Sequence, residues 1–117
     1  MTLEAFYNEI GSNYSAALMR MGNSEKMLGK FVRKFTGDKT MSELNASFDS
    51  EDYSTAFRMA HTLKGLCANL GLDKLQKSSS ELTEALRNGV ADNAAELMGQ
   101  VRADYDMTIT ALAQLDE

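Results

Sequence analysis

Apolar residues recur at helical spacing along almost the whole chain, and the interruptions are short and rich in glycine, asparagine, serine and aspartate. None of the 117 residues is proline, so no helix interior is forced to break, and the alternation that marks a strand is absent throughout. A chain patterned this way buries its apolar stripes by laying helix against helix.

Leu3, Phe6, Tyr7 and Ile10 open an amphipathic segment, Gly11-Ser12-Asn13 interrupts it, and Tyr14, Ala17, Leu18 and Met21 continue it. Gly22-Asn23-Ser24 then reads as a stop followed by a cap. The next helix places Leu28, Phe31, Val32 and Phe35 on one side and ends at Gly37. Thr40-Met41-Ser42-Glu43 has the spacing of a capping box, which predicts a short helix carrying Met41, Leu44 and Phe48 inward. Asp49-Ser50-Glu51-Asp52 supplies acidic residues and cap candidates for the helix that follows, favourable for its dipole. Asp73-Lys74-Leu75-Gln76 repeats capping-box spacing for a helix ended by Gly89, and a last helix runs from about Asp92 to Leu115 with Leu97, Val101, Tyr105, Thr108 and Leu112 along one stripe.

Three long helices and one earlier helix joined by short connections predict an all-α, antiparallel four-helix bundle, with the short N-terminal helical segments across one end. At 117 residues there is material for one core and too little for two, so residues 1–117 are read as a single domain. Ser78-Ser79-Ser80 resembles a linker, yet Leu75, Leu82 and Leu86 keep helical spacing across it; small serines there allow a neighbouring helix to approach. The methionines, Met19, Met27, Met41 and Met98 among them, are expected to fill the core rather than form a binding surface.

The one histidine lies within the run Ala60-His61-Thr62-Leu63-Lys64-Gly65-Leu66-Cys67-Ala68-Asn69-Leu70-Gly71. On a helix the positions Tyr53, Ala56, Ala60, Leu63, Cys67 and Leu70 share a stripe, and His61 stands roughly 130° from its middle, facing solvent or a partner. Ser54, Arg58, Lys64, Gly65 and Ala68 are its surface neighbours by helical spacing. A glycine inside a helix costs roughly 1 kcal/mol relative to alanine and calls for a reason. Side chains lean toward the helix N-terminus, so a bulky residue at Gly65 would cover the imidazole one turn earlier; glycine leaves the ring open. Lys64 can bring a compact, mobile charge to a group on the ring. An exposed imidazole, with an ordinary pKa near ~6.5, keeps a free lone pair at neutral pH and is a nucleophile toward phosphorus. Gly71, just past the last periodic residue, reads as a left-handed C-cap.

Other chemistries find no support. A net charge of -5 without a basic stripe argues against nucleic acid. Cys67 falls on the core stripe, where it acts as a small apolar residue, and one cysteine with one histidine does not make a zinc site. No Gly-rich phosphate loop is present, which argues against an ATP-dependent kinase. The N-terminal residues have no charged leader ahead of an apolar core and no run suits a membrane span, so a cytoplasmic protein is expected.

With these residues in view, the segment resembles the histidine phosphotransfer (HPt) domains of multistep phosphorelays, whose motif reads His-x-x-Lys-Gly with a further glycine six residues on. His61, Lys64, Gly65 and Gly71 match it, Ala60 and Leu63 fit the family, and the resemblance extends more loosely from Phe31–Phe35 to near Leu115. It implies a phosphoryl carrier rather than an enzyme, loaded on His61 and exchanging with aspartates of response-regulator receiver domains, with a hybrid histidine kinase as a further partner. Lys64 would offset charge on the phosphoryl oxygens and Gly65 admit the receiver's acidic pocket. No cofactor is expected on this chain; Mg2+ belongs to the receiver. The family often places a polar side chain, commonly glutamine, beside the histidine from the following helix, where this sequence has Thr83; Arg87 one turn later could add charge there or be an ordinary helix-end arginine. Arg58, Ala68 and Asn69 are candidates for the docking face, and a monomer is the simpler expectation. The competing classes are an adaptor bundle that docks receivers or other signalling proteins without being phosphorylated, and a purely structural bundle. The first would have no need of the histidine or lysine, and the second no need of a glycine beside an exposed histidine.

Overall fold

The computed structural model describes residues 1–116, which form seven α-helices and no strand. These are α1 (Leu3–Glu9), α2 (Tyr14–Arg20), α3 (Glu25–Lys34), α4 (Thr40–Asp49), α5 (Tyr53–Leu70), α6 (Asp73–Leu86) and α7 (Ala94–Leu112), with a 3-10 turn at Phe35–Gly37 after α3. The side chains of Thr2, Asn13, Ser24 and Asp52 each accept a hydrogen bond from the backbone N–H three residues on, satisfying donors that a helix start leaves unpaired. The Gly22-Asn23-Ser24 stop and the Asp52 cap therefore form as the residue types dictate.

Two starts use other means than the spacing predicts. Thr40 is the buried first residue of α4 rather than its cap, and its backbone N–H donates to Asp38 Oδ1 at 2.8 Å. The expected capping box at Asp73 also does not form: Leu72 is the cap position, and the Asp73 N–H donates to Ser12 Oγ from the α1–α2 connection at 3.0 Å. In the second case a group distant in sequence satisfies the helix start, which local spacing cannot reveal.

Packing runs in chain order. α4 lies on α5, α5 on α6 and α6 on α7, the most extensive contact being α5 with α6. Ser78 and Ser79 are buried within α6, with their hydroxyls donating to the Leu75 carbonyl at 3.3 and 2.6 Å, so their polar groups are satisfied inside the helix. Arg102 of α7 donates to Asn45 and to Asp49 of α4, both at 2.8 Å, tying the last of these helices back to the first.

The N-terminal helices hold the far end of α5. The Tyr7 hydroxyl donates to the Leu70 carbonyl at 2.5 Å, pairing an acceptor that the end of α5 leaves free. Burial is the main cause that drives the Tyr7 phenol well above its ordinary range. Gly71 adopts the left-handed conformation at φ +72°, and a Cβ there would lie 2.8 Å from Ala17 Cβ, so this glycine is required both by backbone and by the close approach of α2.

Met41 and Met98 are core residues, but Met19 and Met27 are 70% and 43% exposed, on α2 and α3, and correct the expectation that they fill the core. On α7 the buried positions are Ala94, Met98, Val101, Thr108, Ala111 and Leu112, with Leu97 and Tyr105 only half-buried. The stripe keeps its predicted direction, with Val101, Thr108 and Leu112 buried as expected, but its burial is completed by Met98 and the small Ala94 and Ala111, which carry little hydropathic weight, rather than by Leu97 and Tyr105. α7 is also shorter than predicted, and α6 stops at Leu86, with Gly89 taking φ +109° in the turn beyond it.

Candidate functional site

Along α5 the buried residues are Ala56, Ala60, Leu63, Cys67 and Leu70, the stripe that the 3.6-residue period demands. Tyr53 is half-buried at its start. His61 stands on the open side of the helix and is exposed, Lys64 is half-buried, and Gly65 is exposed one turn on. A Cβ added at Gly65 would meet no heavy atom within 4 Å. Nothing inside the molecule thus requires this glycine, in contrast to Gly71, and the helix-propensity cost is not offset by internal packing. Gly99 in α7 is equally open, so open space acquires significance at Gly65 from the imidazole one turn before it.

The imidazole has a ring neighbour. Phe57, one turn earlier and half-buried, lies with its ring centroid 6.5 Å from that of His61 and tilted by 18°, a near-parallel pair. The guanidinium of Arg87, at the C-cap of α6, lies over the same phenyl ring at 5.3 Å. Arg87 is held there by Glu84: its Nε donates to Oε1 and Oε2 at 3.2 and 3.1 Å, and its Nη2 donates to Oε2 at 2.7 Å. That hydrogen bonding is the main cause lowering the Glu84 carboxyl below its ordinary range, with Lys64 and His61 contributing through their charge, and it raises Arg87 in return. A row of side chains therefore runs from α6 to the histidine: Glu84, Arg87, Phe57, His61.

Thr83 does not join this row. It is fully buried, and its hydroxyl donates to the Ser79 carbonyl at 2.7 Å, so the residue expected beside the imidazole faces the core instead. The exposed face of α6 belongs to Glu84 and Arg87, one and four positions further round. Phe57 and Glu84 were missed by the sequence reading. For Phe57 the signal was present, since position i−4 from His61 is as close a neighbour as i+4. For Glu84 it depended on how α6 rotates against α5.

Arg58 is exposed and donates to Thr55 Oγ1 at 3.2 Å, while Thr62 Oγ1 donates to the Arg58 carbonyl at 2.9 Å. Ser54 and Asn69 are exposed and Ala68 half-buried, so the neighbours expected on the open side of α5 are all at least partly accessible. Beside them a groove of about 420 Å³ runs between α2, α3 and the second half of α5, floored by Met21, Phe31, Phe35 and Leu66 and flanked by Arg20 and Lys34. Cys67 is buried, and desolvation pushes its thiol up to about 12, so it holds no reactive thiolate. Among the described residues no group of three or more His, Cys, Asp or Glu side chains is placed to hold a metal ion, and no helix is long and apolar enough to cross a membrane.

An all-helical scaffold presenting one accessible imidazole, an amine three residues on and an open shoulder defines a class of small helical modules built around a surface histidine. The family model of the Hpt domain matches residues 27–114, from within α3 to just beyond α7, and the chain belongs to that family. Hpt domains are phosphocarrier modules of phosphorelays and meet receiver domains and kinases. Neither the curated proteins nor the solved structures yielded a match to the chain.

Proposed function

We propose that His61 is the phospho-accepting residue of a carrier that takes a phosphoryl group from an aspartyl phosphate on one receiver domain and delivers it to another. The neutral imidazole directs a nitrogen lone pair at phosphorus; the N–P bond forms as the P–O bond breaks, and the aspartate leaves as a carboxylate with the bonding electrons. Lys64 offsets charge on the equatorial oxygens during transfer. Gly65 leaves room for the acidic pocket of the receiver, which brings the Mg2+; this chain supplies the nucleophile, its orientation and the amine. No adenine-nucleotide chemistry is asked of it, and turnover resides in the partner.

The observation that carries this reading is the pairing of an exposed imidazole with an exposed helix-interior glycine that no internal contact explains. The scaffold is read as an antiparallel four-helix bundle of α4 to α7, with α1 to α3 packed about the end of α5, and residues 1–117 as one domain. Six of the twelve basic residues fall between Arg20 and Lys39 against two acidic ones, in a chain whose net charge is -5, and of these Arg20 and Lys34, with the acidic Asp38, line the groove beside the histidine helix. A monomer docking the acidic rim of a receiver there uses complementary charge for its encounter rate.

Incubation with a radiolabelled phospho-receiver tests the proposal. Acid-labile, alkali-stable label is expected on the wild-type chain and none on His61→Gln; equal label on both would refute the assignment.

A further inference from the structure

Two cations stand near the imidazole, Lys64 three residues on along α5 and Arg87 in the row Glu84–Arg87–Phe57–His61, yet they are not equally available. Among the described residues the ammonium of Lys64 makes no ion pair. Arg87 is occupied: its Nε and Nη2 are turned onto Glu84, and its guanidinium carbon stands 5.3 Å from the centre of the Phe57 ring. A guanidinium binds phosphate through that same fork of donors, so engagement by the carboxylate and engagement by a phosphoryl group exclude one another at those atoms. The alternative role for the pair, holding α6 in place, is poorly supported. Glu84 in the last turn of α6 and Arg87 at its C-cap are three residues apart, their side chains are 60% and 45% exposed, and such a pair adds little to stability.

We propose that Glu84 is a positioning residue that competes with the phosphoryl group for Arg87 and so keeps the group on His61 loosely held and ready to leave. The inference rests on His61 being the phospho-accepting residue. A carrier between aspartates needs an intermediate near in free energy to both neighbours, and a second tightly bound cation would trap the group on histidine. With Arg87 restrained by Glu84, Lys64 alone meets the phosphoryl oxygens for most of the time. Loss of the carboxylate frees the fork of Arg87 to turn toward them.

The test uses the full chain and a radiolabelled phospho-receiver, reading both the equilibrium distribution of label between the two proteins and the lifetime of the purified phosphorylated carrier. In Glu84→Gln, a shift of label toward the carrier by about two- to fivefold, with a matching gain in lifetime, is expected, since an exposed ion pair weighs about that much in an equilibrium constant. Glu84→Asp, which keeps the charge, returns toward wild type. Glu84→Gln combined with Arg87→Gln loses the gain, because no guanidinium is left to release. A Glu84→Gln carrier with unchanged distribution and lifetime, or a gain that survives in the double variant, overturns the proposal. Failure of the underlying reading looks different: the wild-type chain itself takes no label, or label persists in His61→Gln. Unchanged melting curves for the three variants exclude a merely structural effect.

Discussion

Substitution of Gly65 separates what the fold wants at this position from what the partner wants. In Gly65→Ala the new methyl enters space with no heavy atom within 4 Å, the backbone is ordinary helix, and the unfolded chain loses freedom. The expected gain is about 1 kcal/mol. With an unfolding entropy of about 2.1 cal/mol/K per residue, a chain of this size gains about 4 °C in melting temperature. Gly65→Leu also folds, but its side chain leans toward the N-terminus over the His61 ring. A receiver displaced by on the order of 1 Å loses transfer by up to about 10²-fold, so a fall of between about ten- and a hundredfold in the initial rate is expected. Circular dichroism melting and single-turnover transfer from a labelled receiver give the two readouts. Gly71→Ala is the control of opposite sign: with φ +72° and Ala17 Cβ at 2.8 Å, it loses at least about 2 kcal/mol. A Gly65→Leu protein that transfers at the wild-type rate refutes the clearance argument, and a Gly65→Ala protein that melts lower than wild type refutes the claim that nothing internal needs the glycine.

Lys64→Ala slows phosphotransfer at least about tenfold while its thermal melt stays within a few degrees of wild type, as measured by single-turnover kinetics and circular dichroism; a normal rate removes Lys64 from the mechanism. Thr83→Val keeps the side-chain volume and loses only a hydroxyl that bonds within α6, so transfer stays within about twofold of wild type; a large loss of rate would return Thr83 to the site. The Cys67 thiol is raised from 9.0 to about 12 in the folded state, so between those values the unfolded chain binds fewer protons and stability falls as pH rises. Its contribution is nearly complete below about pH 8 and on the order of 1 kcal/mol of it is lost by about pH 10, which Cys67→Ala does not show; urea titrations of the two proteins at about pH 7 and about pH 10 check this, and parallel losses would contradict the burial of the thiol.

What could be read without coordinates is what depends on neighbours in sequence. The period of 3.6 residues alone orders Ala56, Ala60, Leu63, Cys67 and Leu70 inward and His61 outward, because a helix maps position in the chain onto direction. Caps such as Ser24 and Asp52 and the left-handed Gly71 are local in the same sense, each completing hydrogen bonds a few residues away. The surroundings of the histidine contributed by α6 are another matter. Whether Thr83 or Glu84 and Arg87 stand beside it depends on the rotation of α6 about its own axis, which is set by how its buried residues Leu75, Ser79, Leu82 and Leu86 pack in the core. The start of α6 depends likewise on Ser12, sixty-one residues earlier, and the burial of Ala94 and Ala111 on the shapes they meet. Sequence therefore determined the helices, the outward histidine with its amine and its open shoulder. Tertiary structure alone decided which residues of other helices reach them, since a rotation of one residue on a packed helix moves every side chain by about 100°.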